Sequence, residues 1–153
     1  MALFLSTFTN KIDKKGRVSV PASFRNALVN QAFAGIVVYR SLKYAALEGC
    51  GMERLEKLSE SFDQLNMFSD VQDDLSASVF ADAQMLSFDS EGRVSLPQSF
   101  LQFAKITDYV AFVGRGATFQ VWSPEVFKEH QDRARARLRE ELPNISLAKK
   151  QEG

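Results

Sequence analysis

The chain has 153 residues, with 19 Lys and Arg balanced by 19 Asp and Glu, 45% hydrophobic residues and 13 Phe. That length suits one domain or two very small ones, and the apolar content supplies a core and argues against wholesale disorder. No apolar run approaches the ~18–20 residues of a membrane helix, and one cysteine (Cys50) with one histidine (His130) rules out a disulfide framework or a Cys/His zinc site.

The first residues, MALFLSTFTNK, have no basic stretch ahead of their apolar ones and no small-residue cleavage pattern behind them, so no signal peptide is expected and the protein is placed in the cytoplasm. Phe4, Phe8 and Ile12 predict a first strand, and Asp13-Lys14-Lys15-Gly16 a turn. Arg17-Val18-Ser19-Val20 alternates like a strand leaving that turn, so the pair reads as a β-hairpin. Pro21 stops the pairing and opens a short helix over 22–29. Strands over 36–40 and 44–47 follow, with Arg40 in the link. Cys50, between Gly49 and Gly51, reads as a loop or strand-end thiol. Met52, Leu55, Leu58, Phe62 and Leu65 then recur at helical spacing.

The same order returns. Asp13 to Phe24 reappears 76 residues later as Asp89 to Phe100, with eight of twelve positions identical. Met85, Leu86 and Phe88 predict the strand before it, Pro97 opens a helix over 98–105, and strands over 110–113 and 118–122 follow with Arg115 in the link. Ser123-Pro124-Glu125 starts a last helix, and residues after Pro143 turn polar. Each repeat is β-β-α-β-β-α, an α+β, β-rich arrangement: 1–76, 77–145 and a polar tail at 146–153. A unit of about 75 residues with short strands buries little surface alone. The two copies are therefore expected to pack about a pseudo-twofold axis as one barrel domain.

Gly16 and Gly92 offer the positive φ of a tight hairpin, and Asp13 and Asp89 can accept backbone N–H groups in Asx-type turns. Turn chemistry thus accounts for all four. Arg17 and Arg93 stay open between a turn salt bridge and a reader of phosphates and guanine edges. Charge is segregated along the chain: Lys11, Lys14, Lys15 and Arg17 surround Asp13, whereas residues 53–74 hold seven acids against Arg54 and Lys57. Arg133, Arg135, Arg137 and Arg139 alternate with small or apolar residues, which on a helix spreads charge over several faces and reads as a solvated helix.

The doubled Asp-x-x-x-Arg signature, within Lys-Gly-Arg-Val-Ser-Val-Pro and Glu-Gly-Arg-Val-Ser-Leu-Pro, resembles the MraZ family of bacterial transcriptional regulators, related to the AbrB-type regulators. The likeness extends over 4–9, Phe24-Arg25, Phe80-Ala81-Asp82-Ala83 and Phe119-Gln120-Val121-Trp122, and departs at Gly49-Cys50-Gly51-Met52, where the family often has a tryptophan. It implies two AbrB-like halves interleaved in a pseudosymmetric swapped-hairpin β-barrel and chains assembled into a ring. It also implies a nucleoid-associated protein binding double-stranded DNA at short direct repeats in the promoter of its own division and cell-wall gene cluster, as a repressor. The DNA-binding residues implied are Arg17 above all, with Lys14 and Lys15, and then Arg93 and Lys11. No cofactor, metal or membrane partner is expected. The first turn should dominate, since the second has Ser90 and Glu91 where the first has two lysines.

Two rivals stand beside this reading. An interaction scaffold without specific DNA binding suits the same barrel. A paired-aspartate enzyme, with Asp13 and Asp89 sharing a proton, is disfavoured because an arginine follows each aspartate and would hold it ionised.

Overall fold

Short β-branched runs interrupted by glycine and proline give short strands, and the computed structural model, which describes residues 3–66 and 68–144, arranges eight of them in two rounds. The first round comprises β1 (Thr7–Lys11), β2 (Arg17–Ser19), α1 (Ala22–Ala27), β3 (Gly35–Arg40), β4 (Leu47–Cys50) and α2 (Met52–Asp63). A short α3 (Asp70–Leu75) and a π-helical turn (Ser76–Phe80) lead to the second. That round comprises β5 (Gln84–Ser87), β6 (Arg93–Ser95), α4 (Gln98–Phe103), β7 (Tyr109–Gly114), β8 (Phe119–Trp122) and α5 (Pro124–Glu141), with a 3-10 turn at Leu142–Asn144. The expected polar tail lies outside the described residues.

The order β-β-α-β-β-α is therefore present twice, and β3 with β4 and β7 with β8 pair as local hairpins, but the first two strands of each repeat do not. β1 pairs with β7 of the other repeat, β5 pairs with β3, and β2 pairs with β6. Between β1 and β2 only the bridge Ile12 to Val18 remains of the expected hairpin. The reason is steric and energetic: β2 and β6 have three residues each, so neither forms much of a ladder locally, whereas exchange lets β1 add five rungs to β7.

The result is a six-stranded antiparallel sheet, β1-β7-β8-β4-β3-β5, and a two-stranded ribbon, β2-β6. Both are symmetric about one axis, which passes between Glu48 and Gln120 in the sheet and between Val18 and Val94 in the ribbon. Alternation along the strands divides the side chains cleanly. Ile36, Val38, Leu47, Val110, Phe112, Phe119 and Val121 face the ribbon's Val18, Val20, Val94 and Leu96 in one buried cluster. On the opposite face Ala46, Ala111, Val113 and Trp122 are covered by Tyr44, Val126 and Phe127. His130 stacks on Trp122 at 4.9 Å, a packing role.

Two segments differ from expectation. β4 begins at Leu47, because residues 41–46 form the link, in which the Ser41 hydroxyl accepts the N–H groups of Lys43 and Tyr44. Helix α2 stops at Asp63, and the acidic stretch continues as a second helix, α3, capped by the Ser69 hydroxyl accepting from the Gln72 N–H at 3.1 Å. Cys50 ends β4 and is buried, which pushes its thiol up to about 11 and leaves it unreactive. In α5, Arg133, Arg135, Arg137 and Arg139 are exposed, in keeping with a solvated helix.

Phe24, from the repeated Ser-Phe, is the hub of the core. Its ring meets Phe4 at 5.2 Å edge-on, Phe119 at 5.3 Å and Phe8 at 5.7 Å, linking α1 to β1 and β8. Phe24→Ala is expected to cost about 3–5 kcal/mol in urea unfolding, since it empties a site enclosed by rings from both repeats. Phe8→Ala, at a ring that is 37% exposed, should cost clearly less.

Candidate nucleic-acid interface

Each motif forms the same turn for the same reason. The Asp13 carboxylate accepts backbone N–H bonds through Oδ1 from Lys15 (2.9 Å) and Arg17 (2.8 Å), and its Oδ2 accepts from Arg17 Nε at 2.7 Å. The loop closes through Gly16 N–H to Asp13 O at 3.0 Å and Asp13 N–H to Arg17 O at 3.0 Å. In the second copy Asp89 takes the N–H groups of Glu91 and Arg93 at 2.9 Å and Arg93 Nε at 2.9 Å.

Gly16 and Gly92 have φ of 82° and 77°, a region that disfavours any side chain. Space forbids one as well. A Cβ on Gly16 would lie 2.8 Å from Leu96 O, because Gly16 O accepts the Leu96 N–H and draws that strand close. The symmetric bond, Val20 N–H to Gly92 O at 3.1 Å, fastens the second turn to the first repeat.

Electrostatics follow from this geometry. Backbone N–H donation, first from Arg17 for Asp13 and from Arg93 for Asp89, holds both carboxyls below the usual aspartate range. Arg93 is in turn held above its ordinary value, chiefly by its bond to Asp89. Two carboxylates each stabilised in the ionised form by their own arginine are the opposite of a pair sharing a proton.

The two arginines are not equivalent. Arg17 spends only Nε on Asp13, and among the described residues its two amino groups have no protein partner. Arg93 also gives Nη2 to Glu91 at 3.4 Å and is the less exposed side chain, 27% against 36%. Lys11, Arg17 and Arg93 line one shallow groove with Asp13 and Ser19, so the exchanged ribbon brings three of the expected cations together. Lys14 and Lys15 are exposed at the tip of the first turn, outside that groove, and Ser90 and Glu91 occupy the matching tip of the second.

One cation at this surface was not anticipated. Arg25, on α1, lays its guanidinium against Gly92 of the second turn. The only sequence signal for it is that Arg25 stands where the other repeat has Leu101. A larger cleft lies elsewhere, between α1 and the start of α2, lined by Ser23, Asn26, Gln31, Arg54 and Lys57. Gln31 Oε1 caps α2 there by accepting the Glu53 N–H at 3.1 Å.

The "MraZ protein" family model, described as antitoxin-like, matches this chain twice, over residues 3–75 and 79–144, each match enclosing one Asp-x-x-x-Arg turn. The chain belongs to the MraZ family. Among its relatives, the "Transcriptional regulator MraZ" of Pelagibacter ubique (strain HTCC1062) is 47% identical over 133 residues, 87% of this chain and 86% of that protein. The protein of the same name from Rickettsia bellii (strain OSU 85-389) is 47% identical over 131 residues, 85% and 87% of the two chains. That from Rickettsia canadensis (strain McKiel) is 42% identical over 134 residues, 88% and 90%. No helix among the described residues is long and apolar enough to cross a membrane.

The turn carboxylates make this MraZ-family fold acid-sensitive in a defined direction. Their folded-state pKa values are depressed, so the stability they contribute is fully present above the ordinary aspartate value, about 3.9, and is lost as pH falls from there through the depressed values. Asp13→Asn with Asp89→Asn should therefore flatten the acid limb of stability against pH below about pH 4. Urea midpoints measured from pH 7 to 3 check this; parallel curves for both proteins would contradict it.

Proposed function

We propose that this chain is a DNA-binding transcriptional regulator whose reading head is the first turn. The observation that carries the reading is the state of Arg17. Asp13 fixes its Nε and thereby aims the guanidinium, while both amino groups remain free of protein partners among the described residues. An oriented fork with two unspent donors suits a guanine edge or a phosphate, and Lys14, Lys15 and Lys11 add charge beside it. Arg93 contributes less, because Glu91 competes for it. The relatives' name, transcriptional regulator, agrees with this role.

The exchanged strands, the ribbon over the sheet and the shared axis support an AbrB-like swapped-hairpin barrel, built as one domain from halves 1–76 and 77–145. A chain with no net charge is poorly suited to bind DNA alone, since affinity rests largely on cations that neutralise phosphates. A ring-shaped oligomer resolves this by gathering several first turns on one surface, where repeated DNA sites multiply weak contacts through effective concentration. Exposed apolar side chains, among them Phe68 (89%), Val29 (73%) and Val71 (62%), provide surface for such contacts. The targets in this reading are short direct repeats in the promoter of the protein's own division and cell-wall gene cluster, bound in the cytoplasm at the nucleoid with repression as the outcome. A scaffold that binds protein alone would use the same apolar surface and leave Arg17 idle.

Fluorescence anisotropy on a duplex from the gene's own promoter, beside a scrambled duplex, tests the proposal. Specific, salt-sensitive binding is expected, with Arg17→Ala losing at least about tenfold in affinity. A duplex with several repeats should bind far more tightly than one with a single repeat. Equal, weak binding of both duplexes by both proteins would overturn DNA recognition in favour of the scaffold.

A further inference from the structure

We infer that Arg25 is a DNA-contacting residue that supplies the second turn with the cationic tip its own sequence lacks, an inference that rests on the DNA-binding reading above. Arg25 is half-buried at the end of α1. Its Nε donates to Val20 O at 3.1 Å, which directs the guanidinium across to the other repeat. A Cβ built on Gly92 would lie 2.8 Å from Arg25 Cζ and Nη1 and 2.9 Å from Nε, so the guanidinium lies against the turn that carries Arg93.

Among the described residues nothing acidic pairs with it: the ion pairs are Arg17 with Asp13, Arg40 with Asp82, Arg93 with Asp89 and Glu91, and Lys128 with Asp132; Arg25 is in none. Partly buried cations normally have a partner, because desolvation disfavours a lone charge. An unpaired guanidinium on a turn already proposed to face DNA has its natural partner in a phosphate oxygen.

Packing alone does not require the charge. At the symmetry-related place in the other repeat stands Leu101, whose Cδ1 would lie 3.8 Å from a Cβ on Gly16. An apolar lid therefore suffices over one turn and a cation covers the other. The distribution is complementary: the turn with Lys14 and Lys15 has the leucine, and the turn with Ser90 and Glu91 has the arginine.

The pseudosymmetry supplies the test variants. Arg25→Leu copies the lid already present over Gly16, so urea unfolding should be nearly unchanged. Anisotropy on the promoter duplex and a scrambled duplex, from 50 to 300 mM salt, should show affinity falling by the same factor for both. The salt slope should drop by about one per engaged chain, as expected for a lost phosphate contact. Leu101→Arg should steepen the slope. An Arg25→Leu protein with native slope and affinity, while Arg17→Ala has lost specific binding, would overturn the role of Arg25 alone. A wild-type protein that does not distinguish the duplexes would overturn the DNA-binding reading and this inference with it. Should Arg25→Leu unfold, an unchanged slope in Leu101→Arg and in Arg25→Gln would count against the inference.

Discussion

The pairing of β2 with β6 is the constraint from which the rest of the structure follows. Three residues from each repeat meet with Val18 opposite Val94, and the ladder is prolonged at each end by a bond to the other repeat's turn glycine. Because the backs of both turns are hydrogen-bonded to the opposite repeat, neither Asp-x-x-x-Arg loop owes its position to its own half alone. The same crossing sends β1 to β7 and β5 to β3, so the buried cluster under the ribbon draws Phe24 and Phe119, Val20 and Leu96, from different repeats.

On that frame the turns solve a small electrostatic problem. A guanidinium left free at a loop tip would sample many rotamers, and ordering it on contact with a ligand would cost entropy. Asp13 removes much of that cost by holding Nε and two backbone N–H groups together. It also neutralises part of the charge. The balance differs between the copies: the first retains two free amino groups and two flanking lysines, whereas the second has Glu91 drawing on its arginine and an imported Arg25 above it.

How far the sequence foretold this depended on the range of the interactions. Asp13, Gly16 and Arg17 act within five residues, so their turn, and its copy at Asp89, Gly92 and Arg93, could be read from residue type and spacing. The strand order per repeat could be read for the same reason. Partner choice could not, because a local hairpin and an exchanged one have the same turn residues and the same alternation; only the length of β2 and β6 tips the balance. Arg25 was hidden because its meaning lies across the axis, on Gly92, far away in the chain. The segment from Gln64 to Phe80 lacks a single apolar period, and α3 and its π-helical turn emerged there from a serine cap and packing against β3.

Strand exchange between halves of one polypeptide has a consequence for how such a surface can change over time. Two separate copies of a repeat meeting about a true twofold axis must present identical loops, and every substitution appears twice. Once a linker joins them, each side can vary while the other keeps the shared ribbon intact. Lys15 and Glu91, at matching places and of opposite charge, record that freedom. So do Arg25 and Leu101, which occupy related sites with different chemistry. Covalent joining thus turns a symmetric scaffold into a polar one with a front and a back.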